Sequence, residues 1–308
     1  MSAATVALMY HDVVAPGRED ESGFPGRDAA RYKVAPALFA AHLAAIDGLP
    51  PVAITFDDGG VSAIRAADEL ERRGRTACFF VTCNYIGAPG FVDRRDIREL
   101  AARGHVVGSH SCSHPLRMGH CSRAQLVDEW TRSRAILESI VGADVRVGSV
   151  PGGDFAPAVA ATAADSGFRL LFTSEPTRVP QRVGELTLVG RYTMQHSTSA
   201  ATVAGLVSGS WAPRARQAMW WTARKATKQI AGARYLKLRK LLLGHGDRHP
   251  DRALRAVLIP VERALRPAER VVLEDDAHLG ADAPAAELRD ERGRQIRGPR
   301  LDAEVVLP

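Results

Sequence analysis

Val52-Ala53-Ile54-Thr55-Phe56-Asp57-Asp58-Gly59-Gly60 is a β-type apolar run that stops at two adjacent carboxylates and two glycines. Short runs rich in Val, Ile and Phe read as buried strands. Acids at the end of such a strand are costly to bury unless they are paired or bind a cation. Some fifty residues on, His105 to Ser109 reads as another strand and runs into His110-Ser111-Cys112-Ser113-His114-Pro115. Two histidines four apart, at the end of one strand, and two carboxylates at the end of another make a candidate metal centre. Imidazole and carboxylate suit zinc and similar divalent ions, and three protein ligands leave a position for water. Asp57 and Asp58 are neighbours on one strand end, so they cannot point the same way. One is expected to ligate the metal and the other to act as general base beside the water. Cys112, inside the histidine pair, is a weaker ligand candidate, because in an extended segment its side chain alternates away from its neighbours.

Outward from these motifs the chain alternates strands with helices. Strands are expected at Val6 to Tyr10, Val52 to Phe56, Thr76 to Thr82, His105 to Ser109, Val145 to Val150, Arg169 to Thr173 and Leu186 to Tyr192. Helices are expected from Pro36 to about Ile46, over Ser62 to Arg73, Asp93 to Arg103, Arg123 to Val141 and Ala156 to Ser166. Pro36 suits a first helical turn, and Gly74, Gly104 and Gly167 stop helices. This alternation over residues 5–205 is the pattern of an α/β fold with a parallel sheet or barrel. In such a barrel the C-terminal strand ends meet at one face, which brings His11, Asp57, Asp58, His110, Pro151 and Thr173 together.

The composition fits a globular protein, with 45% hydrophobic and 25% charged residues and a net charge of +6. Cys78, Cys83, Cys112 and Cys121 form no CxxC pair, so free thiols rather than a disulfide framework are expected. The first ten residues lack a basic n-region and carry only a short apolar run, and no run reaches the ~20 residues of a spanning helix. The expectation is a cytoplasmic protein. From Arg214 to Arg255 twelve Lys/Arg face two Asp, with Trp211, Trp220, Trp221 and several Leu interleaved. Residues 213–243 are expected to form one basic, aromatic helix. Either its apolar residues pack on the barrel, or the segment lies peripherally on an anionic membrane surface. No nucleic-acid recognition motif accompanies the charge, so no specific nucleic acid is expected. Residues 1–210 read as the barrel, 211–243 as the helical extension and 244–308 as a disordered or loosely packed tail.

Thr55-Phe56-Asp57-Asp58-Gly59 and His110-Ser111-Cys112-Ser113-His114 resemble the first two motifs of the polysaccharide deacetylases, the NodB-homology domains of carbohydrate esterase family 4. Leu8-Met9-Tyr10-His11 resembles the family's opening strand. The resemblance implies a distorted (β/α)7 TIM-like barrel and a divalent metal, usually zinc. It assigns Asp57 as general base and Asp58, His110 and His114 as ligands. It implies hydrolysis of an N-acetyl or O-acetyl group on an amino sugar, a polysaccharide or a lipid-linked glycan. Pro151, Gly152 and Gly153 fall in its third motif, near the substrate carbonyl. There the chain departs from the pattern: Ser149 stands where the family has an arginine that steadies the base. Arg146 and Arg191 are the candidate replacements. For the histidine that acts as general acid, the candidates are His196 and His11. These departures also raise an alternative, a weak or inactive relative that binds a glycan or scaffolds cell-surface polysaccharide assembly.

Overall fold

The computed structural model describes residues 6–231, with side chains to residue 223. Its strands are β1 (Val6–Tyr10), β2 (Asp12–Val13), β3 (Lys33–Val34), β4 (Val52–Phe56), β5 (Cys78–Val81), β6 (Val106–Ser109), β7 (Val147–Ser149), β8 (Leu170–Phe172), β9 (Gln181–Val183), β10 (Leu186–Val189) and β11 (Tyr192–Thr193). Its helices are α1 (Arg27–Ala30), α2 (Pro36–Ala45), α3 (Ala63–Glu71), α4 (Arg94–Ala102), α5 (Arg123–Val141), α6 (Pro157–Asp165), α7 (Ala200–Ser208) and α8 (Trp211–Ala231). Nine strands form one curled sheet in the order β11-β1-β4-β5-β6-β7-β8-β10-β9. Every pairing is parallel except the β9–β10 hairpin at one edge. This is the distorted (β/α)7 barrel-like architecture expected from the alternation of elements.

The helices form where the sequence supplies starts and stops. Asp93 and Asp96 make a reciprocal capping box at the start of α4, and Ser122 with Gln125 makes another at α5. Gly142, in the left-handed region, ends α5. On the outer face of the sheet Leu8, Ile54, Phe56 and Phe79 pack against Phe39, Leu43, Leu70 and Leu100 of the helices. A second cluster joins Leu126 and Trp130 of α5 to Val159 and Ala163 of α6 and to Phe168 and Leu171. Each fully buried large apolar side chain contributes about 1.5–3 kcal/mol.

One expectation changes. The strand read as Leu186 to Tyr192 is two strands with different partners: β10 pairs with β8, and β11 pairs with β1 at the opposite edge of the sheet. The break falls at Gly190-Arg191. Gly190 passes so close to the Glu175 carbonyl that a Cβ there would lie 2.3 Å from it. The polar loop after β1 is also more structured than its composition suggests. Buried Lys33 on β3 donates from Nζ to the carbonyls of Glu19, Ser22 and Phe24. Asp12 on β2 accepts from the hydroxyls of Ser22 at 2.5 Å and Ser62 at 2.7 Å. The basic helix is present as α8; residues 232–243 and the segment 244–308 lie outside the described residues. Among the described residues no helix is long and apolar enough to cross a membrane.

Candidate active site

The C-terminal ends of the parallel strands open into a cavity of about 840 Å³. Its lining includes His11 after β1, Asp57 and Asp58 after β4, His110 and His114 after β6, and Gly152 and Gly153 after β7. Pro151 is buried and is absent from this lining. His196 is not in this lining; it is exposed, and its backbone N–H donates to the Arg31 carbonyl. Of the two histidines considered for the acid, the fold brings only His11 to the cavity.

The backbone separates the two adjacent carboxylates. Asp58 sits at φ 76°, in the left-handed region that non-glycine residues avoid. Asp58 faces the two histidines while Asp57 faces Arg191. Among the described residues the other non-glycine positive φ angles are at Ser111 (64°) and His114 (56°), in the second motif. Strained backbone concentrated at one place is a mark of a functional site.

Asp58 Oδ1 lies 3.3 Å from Nε2 of His110 and 3.3 Å from Nε2 of His114. The carboxylate and imidazole ligand atoms of these three residues all lie within 4.8 Å of one another. Those separations exceed the 2.7–2.9 Å of a charge-assisted hydrogen bond, and Asp58 Oδ1 is buried with no hydrogen-bond donor. His110 Nδ1 is 3.1 Å from the Ser149 carbonyl. A carbonyl only accepts, so Nδ1 carries the proton, and in the neutral form of the ring Nε2 presents a lone pair. A lone pair facing an unpartnered carboxylate oxygen is repulsive unless a cation sits between them. Two imidazoles and one carboxylate, with one imidazole oriented by a backbone carbonyl, fit a divalent metal. Burial raises the pKa of Asp58, but the two imidazoles outweigh it and hold the group well below the ordinary carboxylate value. Burial likewise lowers His114, and the Asp58 charge more than reverses that, leaving it raised.

The second-motif loop is held from outside. Glu129 on α5 accepts from the backbone N–H of Cys112 and of Ser113, each at 2.8 Å, and from the Ser113 hydroxyl at 2.5 Å. Ser111 Oγ accepts from His114 N–H at 3.1 Å. The Phe24 ring lies 4.9 Å from the His114 ring. Cys112 is buried and belongs to no ligand cluster among the described residues; its thiol faces that of Cys83.

Asp57 is clamped by Arg191. The guanidinium is fully buried, and Asp57 is 3% exposed. Arg191 Nη1 donates to Asp57 Oδ1 at 2.7 Å and Nη2 to Asp57 Oδ2 at 2.8 Å. Its remaining N–H groups donate to the Thr173 carbonyl (3.1 Å), Thr55 Oγ1 (3.0 Å) and Ser149 Oγ (2.6 Å). All five donors of the guanidinium fork are thus used. Phe80 and Phe172 flank the cation with ring centroids 5.6 Å away. Ser149 Oγ accepts from Arg191 and donates to Asp57 Oδ1 at 3.1 Å. Burial pushes the Asp57 pKa up, but Arg191 and then His110 outweigh it, and the carboxyl stays below its ordinary value. Of the two arginines considered as replacements at this motif, Arg146 is on the surface, paired with Asp144 at 2.5 Å. Arg191 fills the place from the connection between β10 and β11. Local sequence does not distinguish it from Arg146; the break between β10 and β11 is what turns it inward.

Fold and site together define an α/β-barrel protein whose cavity gathers an arginine-clamped carboxylate and an Asp-His-His cluster that could hold a metal ion. Residues 47–171 match the family model for polysaccharide deacetylase. The chain is 32% identical over 142 residues to a chitooligosaccharide deacetylase of Bradyrhizobium sp. (strain ANU 289), covering 45% of this chain. It is 32% identical over 140 residues to another of Sinorhizobium fredii, covering 44% of this chain. In both cases the match spans 63% of the relative's length. Among solved structures, a polysaccharide deacetylase from Bacillus cereus superposes with a TM-score of 0.56 at 20% identity, covering 66% of this chain and 68% of the other. The Streptococcus pyogenes deacetylase solved with acetate gives 0.55 at 18% identity, covering 66% of this chain and 97% of the other. These structural likenesses establish the fold.

Proposed function

We propose that this chain is a metal-dependent hydrolase that removes an N-acetyl, or O-acetyl, group from an amino sugar within a glycan. The observation that carries the reading is the convergence of Asp58, His110 and His114 beside an arginine-clamped Asp57 at the floor of one cavity. Asp58, His110 and His114 would hold the ion, with zinc the expected metal. When bound there, a divalent ion acidifies a water and polarises the acetyl carbonyl. Asp57, kept ionised by Arg191 and Ser149, takes the proton of the water that attacks the carbonyl carbon. The C–N bond then breaks, and the amine nitrogen collects a proton as it leaves. His11 is the donor this structure favours. It lines the cavity and interacts electrostatically with both carboxylates. Its ring lies 4.9 Å from that of Tyr32. The products are acetate and a free amine. Gly152 and Gly153, which line the cavity beside the site, leave room for the acetyl group.

Support for the substrate class comes from the curated relatives, which are named for chitooligosaccharides. The argument for a weak or inactive relative rested on Ser149 and on the unassigned acid histidine; Arg191 weakens the first part by bringing a cation to Asp57 from the connection between β10 and β11. Acetate release from N-acetylglucosamine oligomers tests the reading, measured before chelation, after chelation and after adding back zinc or cobalt. The expected result is activity lost on chelation and restored by metal. No acetate under any of these conditions would overturn it.

A further inference from the structure

We infer that the amphipathic helix α8, outside the family-matched region, is part of the substrate site, and that Trp220 and Trp221 form a platform for a sugar ring next to the one that reacts. The inference rests on the deacetylase reading for its substrate class and on the geometry of α8 for its location.

Helix α8 is fixed to the sheet by its side chains. Gln217 Nε2 donates to the Thr193 carbonyl at 3.1 Å, and its Oε1 accepts from Thr193 N–H at 3.1 Å. The Arg214 guanidinium donates twice to the Leu206 carbonyl of α7, at 3.1 and 2.6 Å. Thr193 lies on edge strand β11, in register with Met9 of β1, two residues before His11. Residues three and four after Gln217 share its helix face. Those residues are Trp220 and Trp221. The face that grips β11 therefore carries both indoles over the cavity, and both line it together with Met9, His11 and Thr193. They are half-buried, unlike Trp211 at the start of the helix, which is 80% exposed.

The occupant is argued from size and charge. A volume of about 840 Å³ lies near the upper end of ligand cavities (~300–1,000 Å³) and far exceeds an acetyl group. The wall carries six carboxylates, at Asp12, Asp28, Asp57, Asp58, Asp154 and Glu175, against two fixed cations, Lys33 and Arg117. This balance disfavours an anionic headgroup even after a divalent ion is added. A neutral polyhydroxylated chain suits it: carboxylates accept from hydroxyls, and the apolar C–H face of a pyranose lies on an indole. The pair would therefore recognise a glycan longer than one residue.

Binding is measured directly on the full chain, by titration calorimetry, with the N-acetylglucosamine tetramer and with the methyl glycoside of N-acetylglucosamine. The Trp220→Ala/Trp221→Ala variant is expected to bind the tetramer about tenfold or more weakly, with the monosaccharide affinity unchanged. Gln217→Ala should show the same tetramer-specific loss, and Trp220→Phe/Trp221→Phe should keep most of the affinity. Equal tetramer affinity in the wild type and the alanine variant overturns the inference. So does an equal loss for both ligands, or a wild type that does not bind the tetramer. Binding to phosphatidylglycerol vesicles that is lost in the alanine variant, with tetramer affinity intact, assigns the indoles to a membrane instead and also overturns it. Tetramer binding through the pair without acetate release leaves the inference standing and removes the deacetylase reading. Acetate release with the same KM in both proteins does the reverse.

Discussion

Replacing Arg191 by methionine removes the cation that holds Asp57 and leaves the side-chain volume roughly in place. The pair is bidentate, at 2.7 and 2.8 Å, and both partners are inside the protein. Breaking such a pair by removing one partner costs about 3–5 kcal/mol, because the other charge stays buried and uncompensated. For a chain of this size about 1 kcal/mol corresponds to roughly 2–4 °C. The Tm of Arg191→Met should therefore fall by roughly 6–20 °C. The pH dependence follows from the same contacts. In the wild type burial raises the Asp57 pKa, but Arg191 and His110 outweigh it, so the folded value lies below the unfolded one. That group stabilises the fold above the unfolded carboxylate value and loses the contribution as pH falls through the folded value. Without Arg191 burial is unopposed by the guanidinium and the folded value rises. The stability gap between the wild type and Arg191→Met should be widest near neutral pH and should narrow in acid. Urea unfolding of the metal-free proteins across this range measures it. Asp57→Asn in each background closes a double-mutant cycle, with an expected coupling of about 1–3 kcal/mol. A single variant within about 0.5 kcal/mol of the wild type, or strict additivity in the cycle, would refute the clamp.

Three further outcomes follow from neighbouring contacts. Glu129→Gln keeps the shape of the side chain but loses the carboxylate that accepts from Cys112, Ser113 and the Ser113 hydroxyl; zinc affinity, read by chelator competition, should fall about 10–100-fold. Gly60→Ala would put a Cβ 2.0 Å from Asp12 Oδ1 and 2.8 Å from Ser22 Oγ, and urea unfolding should show a loss of about 1–3 kcal/mol as the loop after β1 shifts. His42 is buried between the Tyr10 hydroxyl and the Thr198 carbonyl, and burial lowers its pKa despite the carbonyl. Its contribution is present above the ordinary histidine value and is lost as pH falls through the lower folded value, so His42→Gln should flatten stability between neutral and mildly acidic pH.

The site was legible where local pattern and chemistry agree. The run from Val52 to Phe56 ends in two acids, and the strand before His110 ends in a histidine pair; both follow from short-range sequence. The parallel alternation then placed these ends on one face. What stayed hidden depends on distant partners. Leu186 to Tyr192 reads as one β-type stretch, and nothing local shows that its halves join opposite edges of the sheet. The break is what buries Arg191, so the replacement for the missing arginine could be named but not chosen. Lys33 sits in a polar stretch and looks like a solvated cation; its burial comes from three carbonyls that a folded loop supplies. The helix containing Trp220 and Trp221 was readable from composition. Which face meets the cavity is set by Gln217 gripping β11, a contact between residues 24 apart in sequence.

The division of labour between Asp57 and Asp58 is tested most directly by one comparison. Asp57→Asn is loaded with zinc, its bound metal is quantified by mass spectrometry, and its acetate release from N-acetylglucosamine oligomers is followed beside the wild type. The account predicts one zinc per chain in both proteins, acetate from the wild type and a loss of about 10²–10⁴-fold in the variant. An Asp57→Asn protein that keeps its zinc and still releases acetate at the wild-type rate would contradict it.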